Sequence, residues 1–162
     1  MKKKPTQHPV RKPLTVGWRE YVDLPEWGIS GLLAKSDTGA RSSAIDVESV
    51  EELPDNRVAF HVVLDRKDRS KTRRIEADLI GHTRVKSSNG RVQERFKVRT
   101  LMRLGHIEKP VEFSLVNRKR MLCRVLLGRR ALAGDFLVDS QIKFHFGPRS
   151  VRKKQNAPGK PQ

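Results

Sequence analysis

A carboxylate on a tight turn is the feature of this chain with the clearest chemical potential. Asp37 is followed by Thr38 and Gly39, and the three come directly after the apolar run 31–36. A strand that ends in Asp-Thr-Gly lifts the carboxylate onto a turn, where the glycine lets the backbone bend. Two such carboxylates held close together can share one proton and hold a water between them, which suits acid–base hydrolysis. The same tripeptide also makes ordinary Asx turns, so the motif alone leaves both interpretations open.

A second motif lies far along the chain. The apolar run 125–127 leads into Gly128 and Arg129, and a short helix is expected at about 129–133. Between the two motifs, Asn89-Gly90 predicts the turn of a β-hairpin. The chain therefore carries a carboxylate turn, a hairpin and a Leu-Gly-Arg run in that order.

These motifs resemble, in type and order, those of the retropepsins. The run from Lys35 to Ala40, the run from Leu127 to Leu132 and the trailing segment 136–139 are similar to a bacterial retropepsin-like family. That family is often labelled "ATP-dependent zinc protease" and is associated with the RimK-type glutamate ligase. The resemblance covers residues 15–147.

The resemblance implies an aspartic-type endopeptidase and assigns roles to named residues. Asp37, with Thr38 and Gly39, would be catalytic. Leu127, Gly128 and Arg129 would close a psi-shaped chain crossing behind that turn, where the glycine lets two backbones meet. The expected substrate-binding residues lie beside the turn and in the hairpin that would form the flap: Lys35, Ala40, Arg41, Ser87, Ser88, Asn89 and Gly90.

The single Asp-Thr-Gly bears on the oligomeric state. Peptide hydrolysis of this type takes two carboxylates, one acting as base toward water and one donating to the scissile carbonyl. The nearest second candidate, Asp139-Ser140-Gln141, lacks the glycine and is expected to form a turn after a strand. We therefore expect a homodimer with two-fold symmetry that brings Asp37 and its copy together.

Basic residues flank the motif where viral retropepsins carry apolar or acidic ones. Lys35 lies two residues before Asp37, so both side chains point to the same face of the strand. With Arg41 just beyond the turn, this predicts an electropositive cleft for acidic, glutamate-rich peptides; alternatively, Lys35 forms a structural ion pair or extends into solvent. Viral retropepsins have an acidic residue at the position of Arg41, and it pairs with the arginine of the Gly-Arg motif. In this chain Arg129 is therefore expected to pair with another carboxylate. The candidates are Asp46, Asp135 and Asp139.

Alternating apolar and polar residues predict an all-β fold. Residues 58–64, 92–104 and 111–115 alternate with a period of two, as in antiparallel sheets with one solvated face. With the resemblance, this predicts a closed retropepsin-like β-barrel with one short helix. A hairpin built from 58–64 and 74–80 is expected to be an insertion. Its charged tip, residues 65–70, is a partner-binding surface or a solvated loop.

The charge supports an alternative function. The net charge is +17, from 35 Lys and Arg against 18 Asp and Glu. Residues 1–14 and 148–162 each hold five basic residues and no acid, and we interpret them as disordered basic arms flanking a domain at 15–147. Such arms suit solubility or attraction to RNA or the ribosome. The alternative is a non-catalytic basic binding module for the ribosome, RNA or a glutamate-ligase partner.

Sequence motifs for metals and nucleotides are missing. There is no His-Glu-x-x-His, no cysteine pair and no phosphate-binding loop, so we expect no metal and no other cofactor. His61 and His145 are expected to be hydrogen-bonded sheet residues, and Cys123 a buried structural thiol in a strand. No run approaches the roughly 18 apolar residues of a membrane span. We expect a cytoplasmic protein without membrane contact.

Overall fold

The computed structural model describes residues 11–86 and 89–147 and has an all-β fold. Both expected arms lie largely outside this range, as do Ser87 and Ser88. The first strand begins at Leu14, one residue before the expected domain boundary. The strands are β1 (Leu14–Leu24), β2 (Ile29–Ser36), β3 (Ser43–Leu53), β4 (Arg57–Val63), β5 (Thr72–Asp78), β6 (Gly81–Lys86), β7 (Val92–Leu104), β8 (Ile107–Val116), β9 (Val125–Leu127) and β10 (Phe136–Lys143).

Six of these strands close into a barrel. Their order is β1, β2, β9, β3, β8 and β7, and β7 returns to β1 through the pair Asp23 and Arg103. The strands β10 and β6 extend the sheet beyond β1 and β7. The predicted closed barrel is thus confirmed, and its helix, α1 (Arg129–Leu132), is the one α-helix among the described residues.

The short strand β9 lies between the two strands that flank the Asp37 turn. Leu126 pairs with Lys35 of β2 in a parallel ladder and with Ala44 of β3 in an antiparallel one. The chain between these strands therefore loops around the end of β9. This places the Leu-Gly-Arg motif directly behind Asp-Thr-Gly.

The insertion is a hairpin that extends β3. The first part of β3 pairs with β8 inside the barrel, whereas its second part pairs with β4, which in turn pairs with β5. The partner changes between Asp46 and Val47, and the β3–β4 ladder then has a register shift between Glu48 and Glu51. The charged tip folds back, because Arg69 donates to Asp46 Oδ2 at 2.7 Å and to Glu48 Oε1 at 2.8 Å.

The barrel interior is apolar, and its burial is the main source of stability. The side chains that are fully buried include Leu24, Ile45, Met102, Phe113 and Leu127. No helix in the described part of the chain combines the length and apolar character needed to cross a bilayer.

For three segments the expected secondary structure was wrong. Residues Asp139 to Gln141 lie inside β10, which runs parallel to β1, and not in a turn. Cys123 is buried, as expected, but it precedes β9 instead of lying in a strand. His145 lies in a turn after β10, and its backbone N–H donates to Glu20 Oε1 at 2.7 Å. His61 does lie in β4, but its buried Nδ1 finds no hydrogen-bond partner among the described residues.

Candidate active site

The Asp37 loop, residues 37–41, is held by backbone hydrogen bonds at the end of β2. The Asp37 N–H donates to the Leu127 carbonyl at 2.8 Å, which ties the loop to β9. The Gly39 N–H donates to Asp37 Oδ1 at 2.9 Å. A Cβ on Gly39 would approach that oxygen to 3.2 Å, so the glycine leaves room for the bond. The carboxylate is thereby oriented while remaining partly exposed.

Gly128 makes the closest backbone approach of the site. A Cβ added there would lie 2.5 Å from the Ser42 carbonyl oxygen. The Gly128 N–H also donates to Ser43 Oγ at 3.0 Å. Any side chain at 128 would push the two segments apart, which explains why the motif has glycine there.

Arg129 holds the Asp37 loop through carbonyl oxygens. Its Nη1 donates to the carbonyls of Thr38 and Gly39 at 3.1 and 3.0 Å. Its backbone N–H donates to the Ala40 carbonyl at 2.8 Å. The expectation that Arg129 pairs with a carboxylate was wrong, because among the described residues no ion pair forms at Arg129.

The three candidate acids bond elsewhere. Asp46 is fully buried and pairs with Arg124 and Arg69. Asp135 pairs with Lys109 at 2.6 Å. The third, Asp139, accepts the backbone N–H of Gln141 at 2.9 Å.

Lys35 borders a cavity of about 240 Å³, which we call the basic cavity. Its basic lining residues are Arg19, Lys35, Arg118 and Arg120, and no acidic residue lines it. Arg19 and Lys35 are paired neighbours on β1 and β2. Burial lowers the pKa of Arg118, and the carboxylates of Asp46 and Asp37 oppose that shift.

The other expected substrate-binding residues fall into two groups. Ala40 and Arg41 belong to the Asp37 loop, and their carbonyls accept the backbone N–H groups of Arg129 and Arg130. Asn89 and Gly90 lie between β6 and β7, which form the predicted hairpin, and Gly90 has a φ of 81°. Ser87 and Ser88 of the expected flap are outside the described residues.

Arg19 and Arg118 were missed as candidate site residues. Arg19 lies in β1, whose apolar alternation is interrupted by the buried acids Glu20 and Asp23. For Arg118 a signal existed, because the basic run 118–120 directly precedes the segment that leads into β9.

A larger cavity of about 320 Å³ lies beside the start of β3, and Asp37 does not line it. Ser42, Arg130 and Glu112 are among its lining residues. Its charges are partly compensated, since Arg99 donates to Glu112 Oε1 at 2.6 Å and lowers the pKa of that carboxyl. Asp37 does not line the basic cavity either, but β2, which leads into the Asp37 loop, borders that cavity through Lys35.

One group of side chains has the composition of a metal site. Glu52, His82 and Glu94 bring ligand atoms within 4.8 Å of one another, and all three are exposed. Arg84 already lies 3.2 Å from Glu94 Oε1. Exposed acidic groups often come this close without a metal.

Comparisons with known proteins agree with this geometry. The family described as "Retropepsin-like aspartic endopeptidase RimB" matches residues 15–147. The crystal structure of Lpg0085 from Legionella pneumophila, a protein with unknown function (DUF785), superposes with a TM-score of 0.69 at 25% identity. The match covers 82% of this chain and 98% of that one.

Longer proteins also contain a similar segment. A "Probable alpha-L-glutamate ligase" of Shewanella halifaxensis is 31% identical over 135 residues, and one of Parasynechococcus marenigrum is 30% identical over 139 residues. These matches cover 82% and 84% of this chain. The chain spans only about 30% of the length of each relative.

The matched range includes the Asp37 loop, the β9 crossing and the β6–β7 hairpin. The chain belongs to the RimB-like family of retropepsin-like aspartic endopeptidases.

Proposed function

We propose that this chain is a homodimeric aspartic endopeptidase that hydrolyses peptide bonds in acidic, glutamate-rich polypeptides. The observation that carries the proposal is the Asp37 loop. Leu127 and Arg129 hold its backbone, and the Gly39 N–H orients the partly exposed Asp37 carboxylate. A site of this kind needs a second carboxylate. A copy of Asp37 across a two-fold axis would supply it.

The reaction would use the two Asp37 carboxyls with one proton between them. The ionised one takes a proton from water as the water oxygen bonds to the scissile carbonyl carbon, and the protonated one donates to the carbonyl oxygen. In the resulting gem-diol, one carboxyl then donates a proton to nitrogen while the other takes one from a hydroxyl. The C–N bond breaks, and the pair again holds one proton.

Thr38 supports the dimeric arrangement. It is exposed on the Asp37 loop, and its hydroxyl has no hydrogen-bond partner among the described residues. A hydroxyl both donates and accepts. In the proposed dimer it would bond across the axis to the partner loop.

Two observations support an acidic substrate. The basic cavity beside Lys35 would attract carboxylates. The relatives named as glutamate ligases contain a segment similar to this chain within a longer protein. A ligase of α-linked glutamate would make peptides suited to such a cleft, and contact with such a ligase is part of the proposal.

The test is cleavage of a polyglutamate-tailed peptide by the wild type, Asp37→Asn and Asp139→Asn, followed by mass spectrometry. We expect the wild type and Asp139→Asn to release fragments and Asp37→Asn to release none. Cleavage by Asp37→Asn would remove this residue from the mechanism. Tight binding by all three without cleavage would favour the basic binding module, which the net charge of +17 supports.

A further inference from the structure

The basic cavity gathers four basic side chains, of which Arg118 is also attracted by the carboxylates of Asp46 and Asp37. Arg19 comes from β1, Lys35 from β2, and Arg118 and Arg120 from the segment after β8. No acid is among its lining residues. Like charges gathered in this way repel one another, and a negative group entering the cavity would relieve the repulsion.

Some arginines of the sheet pair with an acid on the neighbouring strand. Arg99 lies 2.6 Å from Glu112, and Arg103 lies 2.8 Å from Glu108. Each of these arginines on β7 thus faces an acid on the neighbouring strand β8. In the basic cavity the position opposite Arg19 on β2 is instead Lys35.

Arg19 lines the cavity and has an unused side-chain donor. Its Nε is buried and has no hydrogen-bond partner among the described residues. Its guanidinium lies 5.2 Å from the centre of the Trp18 ring, within the range of a cation–π contact. Guanidinium groups held in this way bind carboxylates in a directed, charge-assisted manner.

The size and walls of the cavity suit one side chain. Its volume of about 240 Å³ is below the roughly 300–1,000 Å³ of small-molecule sites. Trp18 and Leu122 provide apolar surface on its walls, and Leu122 is 49% exposed. A glutamate side chain has matching parts, with methylenes for these walls and a carboxylate for the cations.

We propose that the basic cavity is the subsite that binds a carboxylate side chain of the substrate, with Arg19 and Arg120 as specificity-determining residues. This role rests on the proposed peptidase function. Lys35 lies two residues before Asp37, and the Asp37 carboxylate acts electrostatically on the lining residue Arg118, so the bound side chain belongs to a residue near the scissile bond.

The experiment measures binding without cleavage. Asp37→Asn is used as the background, and fluorescein-labelled hexaglutamate and hexaglutamine are the probes in fluorescence anisotropy. Arg19→Met with Arg120→Met removes two cavity charges and keeps side-chain volume. Arg57→Met with Arg74→Met is the matched control, because it removes two charges from exposed pairs on the inserted hairpin.

The expected result is hexaglutamate binding that the cavity variant weakens at least about tenfold, as for loss of charge-assisted hydrogen bonds. The control should change it less than about twofold, and hexaglutamine should bind weakly to all forms. Thermal melting of each variant verifies the fold.

Two results would overturn the subsite: equal loss in the cavity variant and the control, or equal binding of hexaglutamate and hexaglutamine. Either can occur while the wild type still cleaves, in which case the peptidase survives and the subsite does not. Conversely, selective loss in the cavity variant without any wild-type cleavage would keep the binding site and reject the peptidase.

Discussion

Gly128 and Ser42 are in such close backbone approach that a Cβ on Gly128 would lie 2.5 Å from the Ser42 carbonyl oxygen. The approach joins the segment after β9 to the segment after the Asp37 loop. Next to it, Arg129 donates to two carbonyls of that loop. The position of the carboxylate therefore depends on contacts some 90 residues away in sequence.

Gly128→Ala should damage both stability and the site. The added methyl group meets backbone that cannot turn aside, and overpacking of this kind costs about 1–3 kcal/mol of unfolding free energy. Urea denaturation measures the loss. Gly81→Ala is the control, since a Cβ there would meet Lys97 side-chain atoms at an ordinary 3.5 Å. Equal stability of the two variants would refute the steric argument.

Arg129→Lys should reduce peptidase turnover more than stability. A lysine ammonium keeps the charge but cannot reach two carbonyls from a rigid planar fork. We expect kcat/KM to fall at least about tenfold, given the strength of hydrogen bonds from charged groups. The neighbouring Arg130→Lys is the control for a charge-preserving change on the same helix. An unchanged kcat/KM in Arg129→Lys would exclude the positioning role.

The buried cluster around Asp46 predicts a large stability effect. Asp46 is 0% exposed and pairs with Arg124, which is itself 2% exposed. Asp46→Asn leaves that cation without its counter-charge, which costs about 3–5 kcal/mol. Asp78→Asn removes an exposed partner of Arg57 and should cost within about 0.5 kcal/mol. Chemical denaturation of both variants compares the losses, and similar values would contradict the assignment.

Glu26 predicts a contribution to acid sensitivity. The Leu101 N–H and the Thr100 hydroxyl donate to its carboxylate and lower its pKa. A carboxyl with a lowered pKa stabilises the fold above its unfolded pKa, and this is lost as pH falls through its folded pKa.

Melting temperature against pH tests this contribution. Below about pH 4, where glutamates protonate, the wild type should lose stability more steeply than Glu26→Gln. The exposed Glu51→Gln serves as control and should follow the wild-type profile. Parallel profiles for the wild type and Glu26→Gln would show that Glu26 contributes nothing.

The local motifs could be predicted from sequence because their residues have few alternatives. Asp-Thr-Gly and Leu-Gly-Arg each need a glycine where backbone or a carboxylate comes close, and the period-two segments of β4, β7 and β8 point apolar side chains inward. The strand β1 was harder to recognise because the acids Glu20 and Asp23 are buried in it and accept backbone N–H groups.

Contacts between distant arginines and their acceptors could not be predicted. Arg124 looks like a surface residue in a basic chain, yet it is buried against Asp46. Arg129 was expected to need a carboxylate, but the carbonyls of a tight loop satisfy it. The acceptor that an arginine binds depends on three-dimensional geometry and on which acids are already paired with other residues.

The most direct test of the central claim is peptidase activity in mixtures of wild type and Asp37→Asn that exchange subunits freely at constant total concentration. If each site takes one Asp37 from each of two chains, only wild-type pairs are active, and activity follows the square of the wild-type fraction. At equal proportions it should be about a quarter of the full value. A linear decline, with about half the activity remaining, would mean that a single chain carries a complete site and would contradict the account.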